Sequence, residues 1–159
     1  MYVLDREVAN SGNRHASNDV TYIEGSITDP ALVASILQQT RPRVVFHAAS
    51  PVASLPRSRW PEFEATNVTG TGTLLSAAAA SESVQAFVYT SSADIYADPP
   101  HHNVSETHAL VASERDPRGD VTEYMRTKAA GQRLVLAANT PTLRTCALLP
   151  AHMYGERSS

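Results

Sequence analysis

The sequence predicts an α/β fold, a doubly wound parallel sheet with helices packed on it. Two observations carry this. Short β-prone runs alternate with segments of helical periodicity along the chain, and three of those runs are apolar without interruption. A half-buried antiparallel strand alternates apolar and polar residues. A parallel strand is covered on both faces and reads as a continuous apolar run. Strands alternating with helices then argue for a parallel sheet. The 159 residues are enough for one domain with its own core. Apolar residues at 42% and charged residues at 18% argue against disorder.

The elements follow in order. Tyr2-Val3-Leu4 is a short apolar run stopped by Asp5, and Thr21-Tyr22-Ile23-Glu24 is a second β-prone run ended by Gly25. A polar loop, 7–19, separates them. Asp29-Pro30 supplies an N-cap and a proline at the first helical position. Ala31, Val33, Ile36 and Leu37 then recur at helical spacing as far as Thr40, and Pro42 ends the helix. Residues 43–49 form an apolar run expected to be a buried strand. Residues 51–60 are a loop rich in proline and arginine. Residues 62–81 read as a long helix carrying Phe63, Val68, Leu74, Leu75 and a run of alanines. Residues 86–91 are a second buried strand. Residues 98–119 are too long for a simple connector, which points to a functional loop. Residues 121–139 read as a helix, and 145–149 as the last strand, closed by Pro150.

Composition excludes several function classes. The net charge of -3 gives no broad basic field for nucleic acid or an anionic membrane. No run approaches the length of a transmembrane helix, and residues 1–17 lack the apolar core of a signal peptide. Cys146 is the single cysteine, which excludes an internal disulfide framework and suits a reducing compartment, hence an expected cytoplasmic location. It falls on an expected buried strand, where packing is the expected role. His101, His102 and His108 lie in a polar loop without helical i, i+4 spacing or a nearby cysteine, so no metal site is expected. Asn67-Val68-Thr69 and Asn103-Val104-Ser105 fit the glycosylation sequon and are read as incidental. Trp60 could touch substrate or cap the core.

One motif carries chemistry. Tyr124 and Lys128 are four residues apart on an expected helix and so share a face. A nearby ammonium favours phenolate and lowers a tyrosine pKa, which fits the tyrosine to exchange a proton with a substrate hydroxyl. Lys128 is the only lysine, in a chain that otherwise uses arginine for positive charge. A lysine is a compact point charge, which suits this task better than a guanidinium. Tyr89-Thr90-Ser91-Ser92-Ala93 stands at the C-terminal end of an expected buried strand, where open α/β sheets bind ligands. A serine there can hold a substrate oxygen toward the tyrosine.

Five stretches together resemble the extended short-chain dehydrogenase/reductase family. They are residues 45–51 (Val-Phe-His-Ala-Ala-Ser-Pro), 67–71 (Asn-Val-Thr-Gly-Thr), 87–93 (Phe-Val-Tyr-Thr-Ser-Ser-Ala), Tyr124 with Lys128, and 149–155 around Leu149-Pro150-Ala151 and Tyr154-Gly155. Within the family the chain is most similar to the 3β-hydroxysteroid and sterol-4α-carboxylate 3-dehydrogenase branch. The resemblance implies a Rossmann-like fold and an NAD-dependent oxidoreductase acting on the CH–OH group of a steroid or sterol-like small molecule. It implies Tyr124 as acid/base, Lys128 as the group that lowers its pKa and holds the nicotinamide ribose, Ser92 as catalytic serine, and Asn67 as support for the lysine side through water. For the cofactor it implies Asp5 on the adenosine ribose, Ser26 and Ile27 at the adenine, and Ala48, Ala49, Ser50, Thr90 and Ser91 along the dinucleotide. Pro150, Ala151 and His152 would flank the nicotinamide. A carboxylate at Asp5 implies NAD over NADP. A homodimer and an endoplasmic reticulum association are implied for a full-length protein.

The sequence departs from the family pattern in three ways. Ser26 stands where the family usually has an aspartate for the adenine amino group, and Leu149 where it has an arginine. The opening strand and Gly-x-x-Gly-x-x-Gly turn, whose helix N-terminus binds pyrophosphate, have no counterpart. Gly70 and Gly72 lie inside an expected helix. The expected domain organisation is therefore a partial NAD(P)-binding domain over 1–159, lacking the first strand, with the substrate-binding region beyond 155 absent. Such a piece is expected to cost the strand at Tyr2 and the strand at Val44 one neighbour each, to bind NAD weakly and to show no dehydrogenase activity. The alternatives are a nucleotide-sugar epimerase or dehydratase with the same Tyr124, Lys128 and Ser92 chemistry, and a non-catalytic remnant.

Overall fold

All the strands run parallel, but they form two sheets. The computed structural model describes residues 1–8, 19–53, 56–97, 102–111 and 121–151. β1 (Tyr2–Asp5) pairs with β2 (Thr21–Glu24) in the register Tyr2↔Thr21 to Asp5↔Glu24. β3 (Val44–His47), β4 (Ala86–Thr90) and β5 (Arg144–Leu148) form the second sheet in the order β3-β4-β5. Among the described residues β1 pairs only with β2, and β3 only with β4. No pairing joins the two sheets among the described residues.

α1 (Pro30–Thr40) starts as its sequence dictates. The Asp29 carboxylate accepts from the N–H groups of Ala31 and Leu32 at 3.0 and 3.1 Å, which satisfies two orphan donors of the first turn. It ends at Arg41, which takes a left-handed conformation (φ 44°) and returns its N–H to the Leu37 carbonyl. The expected single helix after β3 is a continuous right-handed run of three geometries. These are α2 (Pro61–Phe63), a π-helical segment (Glu64–Gly70) and α3 (Thr71–Ala80). π turns are rare and cluster at functional sites. No periodicity in the sequence announced this one. α4 (Glu123–Ala137) is capped by the Thr122 hydroxyl, which accepts from Met125 N–H.

The core lies on one face of the three-stranded sheet. Val33 and Leu37 of α1, Leu74, Leu75 and Ala78 of α3, and Val135 of α4 pack with Phe87 and Tyr89 of β4. A smaller cluster joins Ile95, Val111 and Ala129. The other face corrects the expectation of strands buried on both sides. Phe46 is 75% exposed, Leu148 is 55% exposed, and Cys146 is exposed, so its expected packing role does not hold. Among the described residues helices cover only the opposite face. An apolar run states that a strand can be covered on both sides, not that a cover is present.

The two faces should respond differently to truncation. Phe87→Ala, at a fully buried site, is expected to cost about 3–5 kcal/mol, and Phe46→Ala to stay within about 0.5 kcal/mol. Denaturant melts of the two variants measure the contrast.

Candidate active site

The site is built where β4 ends. Ser91 and Ser92 follow β4 directly and are both buried. Ser92 caps a short 3-10 turn, accepting from Asp94 N–H at 3.3 Å and donating to the Asp94 carboxylate at 3.2 Å. α4 crosses this strand end. From it Lys128, 2% exposed, donates Nζ–H to the Thr90 carbonyl at 2.8 Å. Its Nζ also lies 5.1 Å from the centroid of the Tyr89 ring. Burial lowers the Lys128 pKa to about 8. Tyr124, one turn earlier on α4, is half-buried, with its ring edge-on to Phe63 at 6.0 Å. The Tyr89 phenol is held above its usual range, first by burial and then by the charge of Tyr124.

Asn67 lies in the π-helical segment and is fully buried. Its amide donates to Thr127 Oγ1 at 3.0 Å, so the side chain is engaged with the residue before the lysine. Its Oδ1 is buried without a hydrogen-bond partner in the protein, as is Ser91 Oγ. Thr71 Oγ1 donates to the Asn67 carbonyl at 2.7 Å and lies 2.9 Å from His47 Nε2. With the Thr71 proton committed to Asn67, the His47 Nε2 carries the hydrogen. Burial first, and Lys128 second, lower the His47 pKa to about 4. Gly131 permits this close packing of α4. A Cβ there would sit 2.6 Å from the Tyr89 hydroxyl and closer still to the Asn67 carbonyl.

The expected cofactor residues divide. Asp5, Ser26, Ile27, Ala49 and Ser50 line one cavity of about 150 Å³ between the C-terminal ends of β1 and β3. A second cleft of about 340 Å³ continues from Asp5 and Ser50 to Arg59 and Glu62. Within the first, Ser26 Oγ is 2.8 Å from Thr28 Oγ1, and Asp5 Oδ1 accepts from Glu7 N–H at 3.0 Å. Ala48 is exposed and is not in either wall. Pro150 is tied to the Ser92 side, its carbonyl accepting from Ala93 N–H at 3.0 Å, and Ala151 is exposed beyond it. His152, His101, Tyr154, Gly155 and most of the 98–119 loop lie outside the described residues. His108 Nδ1 accepts from Ser105 N–H. Trp60 is half-buried beneath the Arg57 guanidinium.

Sequence reasoning missed Arg6, Arg59, Glu62 and Thr66 of the cavity walls, and Phe63 and Thr127 beside the motif. Only the arginine-rich loop gave a hint, for Arg59.

Residues 2–159 match the model of the NAD dependent epimerase/dehydratase family. The chain belongs to that family. Curated relatives include the sterol-4-alpha-carboxylate 3-dehydrogenases (decarboxylating) of Candida albicans and Schizosaccharomyces pombe. The first is 35% identical over 138 residues, 86% of this chain, and the second 33% identical over 135 residues, 85% of this chain. The matched part is 37% of each relative's length, so the chain spans well under half of these proteins. The Bordetella bronchiseptica enzyme WbmG, solved in complex with NAD, superposes with a TM-score of 0.75 over 93% of this chain and 44% of that one at 23% identity. That likeness concerns the fold, the Rossmann-like arrangement expected above. No described helix is long and apolar enough to cross a membrane.

Two titrations follow. The unfolded chain holds the Lys128 proton up to its ordinary pKa of 10.5, whereas the folded chain releases it near 8. The unfolded state therefore binds more protons between those values, and stability rises with pH across that window. Wild type should gain stability relative to Lys128→Met as pH rises from about 8 to about 10.5. His47 works the same way at lower pH. Wild type should lose stability relative to His47→Gln as pH falls from 6.5 to about 4. Denaturation at a series of pH values reads both.

Proposed function

We propose that this chain carries the acid/base machinery of an NAD-dependent oxidoreductase acting on the CH–OH group of a 3β-hydroxysteroid or sterol-like substrate. One observation carries the reading. Lys128 is buried on the helix of Tyr124 and hydrogen-bonded to the end of β4, two residues before Ser92. The sterol dehydrogenase relatives support the substrate class.

In this reading Tyr124 takes the hydroxyl proton as the carbinol becomes a carbonyl. The ammonium of Lys128 stabilises the phenolate that does so. Ser92 holds the substrate oxygen. Bound NAD would supply the acceptor for the hydride leaving the carbinol carbon. Asp5, Ser26, Ile27, Ala49 and Ser50 would bind its adenosine half along the two clefts. The Ser91 hydroxyl, unpartnered in the protein, and the Lys128 ammonium would hold its nicotinamide half in this reading. Asp5 favours NAD because a carboxylate repels a 2′-phosphate. Residues 1–159 form a partial dinucleotide-binding domain in this reading. The open edges of β1 and β3 and the 37% coverage of the relatives support that. A homodimer, and association with the endoplasmic reticulum, belong to the longer protein in the same proposal.

A second reading, a nucleotide-sugar epimerase, uses the same three residues. It is favoured by the match of residues 2–159 to the NAD dependent epimerase/dehydratase family.

In a protein of the relatives' length, Tyr124→Phe should lower turnover by roughly two to four orders of magnitude, and Ser92→Ala by less. The assay is NAD reduction with a 3β-hydroxysteroid, run beside epimerisation of a nucleotide sugar. Unchanged turnover in the tyrosine variant would remove Tyr124 from the chemistry. Turnover of the sugar alone would select the second reading. Calorimetric titration of residues 1–159 with NAD should give no micromolar binding, and micromolar binding would overturn the partial-domain reading.

A further inference from the structure

We propose that Arg126 and Thr127, inside the Tyr124–Lys128 spacing, are positioning residues that clamp α4 to the π-helical segment through Glu64 and Asn67. The clamp fixes how α4 is rolled about its axis, and so how Lys128 and Tyr124 are presented at the end of β4. This rests on the reading of Tyr124 and Lys128 as the functional pair.

A helix can roll on an apolar face at small cost, because packing of that kind is weakly directional. Two polar contacts at adjacent residues, made to one neighbouring segment, stop the roll. Arg126 makes the outer contact. Its guanidinium bonds Glu64 at 2.5 Å and holds both oxygens of Glu123, one helical turn back, at 2.6 and 3.2 Å. Thr127 makes the inner contact. Its hydroxyl, fully buried, accepts from the Asn67 amide at 3.0 Å and donates to the Glu123 carbonyl at 2.8 Å.

The inner anchor is itself fixed. The Thr71 hydroxyl holds the Asn67 carbonyl and meets His47 of β3, so the connection runs from the sheet through the π-helical segment to α4. Glu64 and Asn67 both belong to that segment. Gly131 lets α4 come close enough for the inner contact to form. Lys128 is adjacent to Thr127. Its ammonium is then pressed between the Thr90 carbonyl and the Tyr89 ring instead of reaching water.

The single lysine makes the test direct. Lys128 is the only lysine in the 159 residues, so a chain labelled with 15N-lysine gives one side-chain ammonium signal to titrate by NMR. Its midpoint should be near 8 in wild type. Thr127→Ser keeps the hydroxyl and should keep that midpoint. Thr127→Val has the same shape without the hydroxyl, and Glu64→Gln removes the outer ion pair. Both should move the midpoint upward toward the ordinary 10.5 as the ammonium regains water. Loss of stability alone would lower the melting temperature and leave the midpoint of the folded chain in place.

Folded Thr127→Val and Glu64→Gln chains with the wild-type midpoint would overturn the clamp. So would a wild-type midpoint at the ordinary lysine value. If Thr127→Val does not fold, Glu64→Gln decides, since Glu64 is about half exposed and tolerates the change. The readout involves neither cofactor nor turnover. A fully active Tyr124→Phe enzyme would therefore sink the functional reading and leave the clamp standing, whereas unmoved midpoints would do the reverse.

Discussion

Lys128 is buried with no carboxylate beside it among the described residues. Its charge is held by the Thr90 carbonyl, at the C-terminal end of β4, and by the face of the Tyr89 ring. A carbonyl dipole and a ring quadrupole stabilise an ammonium less than a carboxylate would, and desolvation therefore shows as a lowered pKa. Much of the surrounding structure serves to keep that ammonium in place. α4 must come close to β4, which requires a glycine at 131. The π-helical segment must meet α4 at two points. His47 must stay neutral beside it, and burial together with the lysine's own charge keeps it so.

The same crowding explains why the buried polar groups form a chain instead of isolated pairs. His47, Thr71, Asn67 and Thr127 come from β3, the helical run and α4, and each is at most 2% exposed. In a low-dielectric interior an unpartnered polar group is costly, so side chains at an element junction share donors and acceptors. Four buried side-chain atoms among the described residues are left without a hydrogen-bond partner in the protein: Asn67 Oδ1, the Tyr89 hydroxyl, Ser91 Oγ and Gln132 Oε1.

The two sheets and the two clefts belong together. β1 and β3 end on either side of the cavity that Asp5, Ser26 and Ser50 line, and no described strand bridges them. The face of β3, β4 and β5 away from the helices presents Val44, Phe46 and Leu148 to solvent. Parallel sheets are normally covered on both faces. These features accompany a chain that matches 37% of its sterol dehydrogenase relatives.

The sequence alone determined the local elements, because each has a local cause. Asp29-Pro30 starts α1, Pro42 follows its end, and the apolar runs at 44, 86 and 145 become parallel strands in the expected order. It also placed Tyr124 and Lys128 on one helix, since i, i+4 spacing is a property of the helix itself. It determined the family too, through motifs spread along the chain. Tertiary structure decided what depends on a neighbour. The exposure of Phe46 and Cys146 turns on whether anything covers their face, which an apolar run does not encode. The π-helical turn at 64–70 and the partner of Asn67 depend on how closely two helices approach. That distance is set by Gly131 and Thr127, more than fifty residues further along the chain.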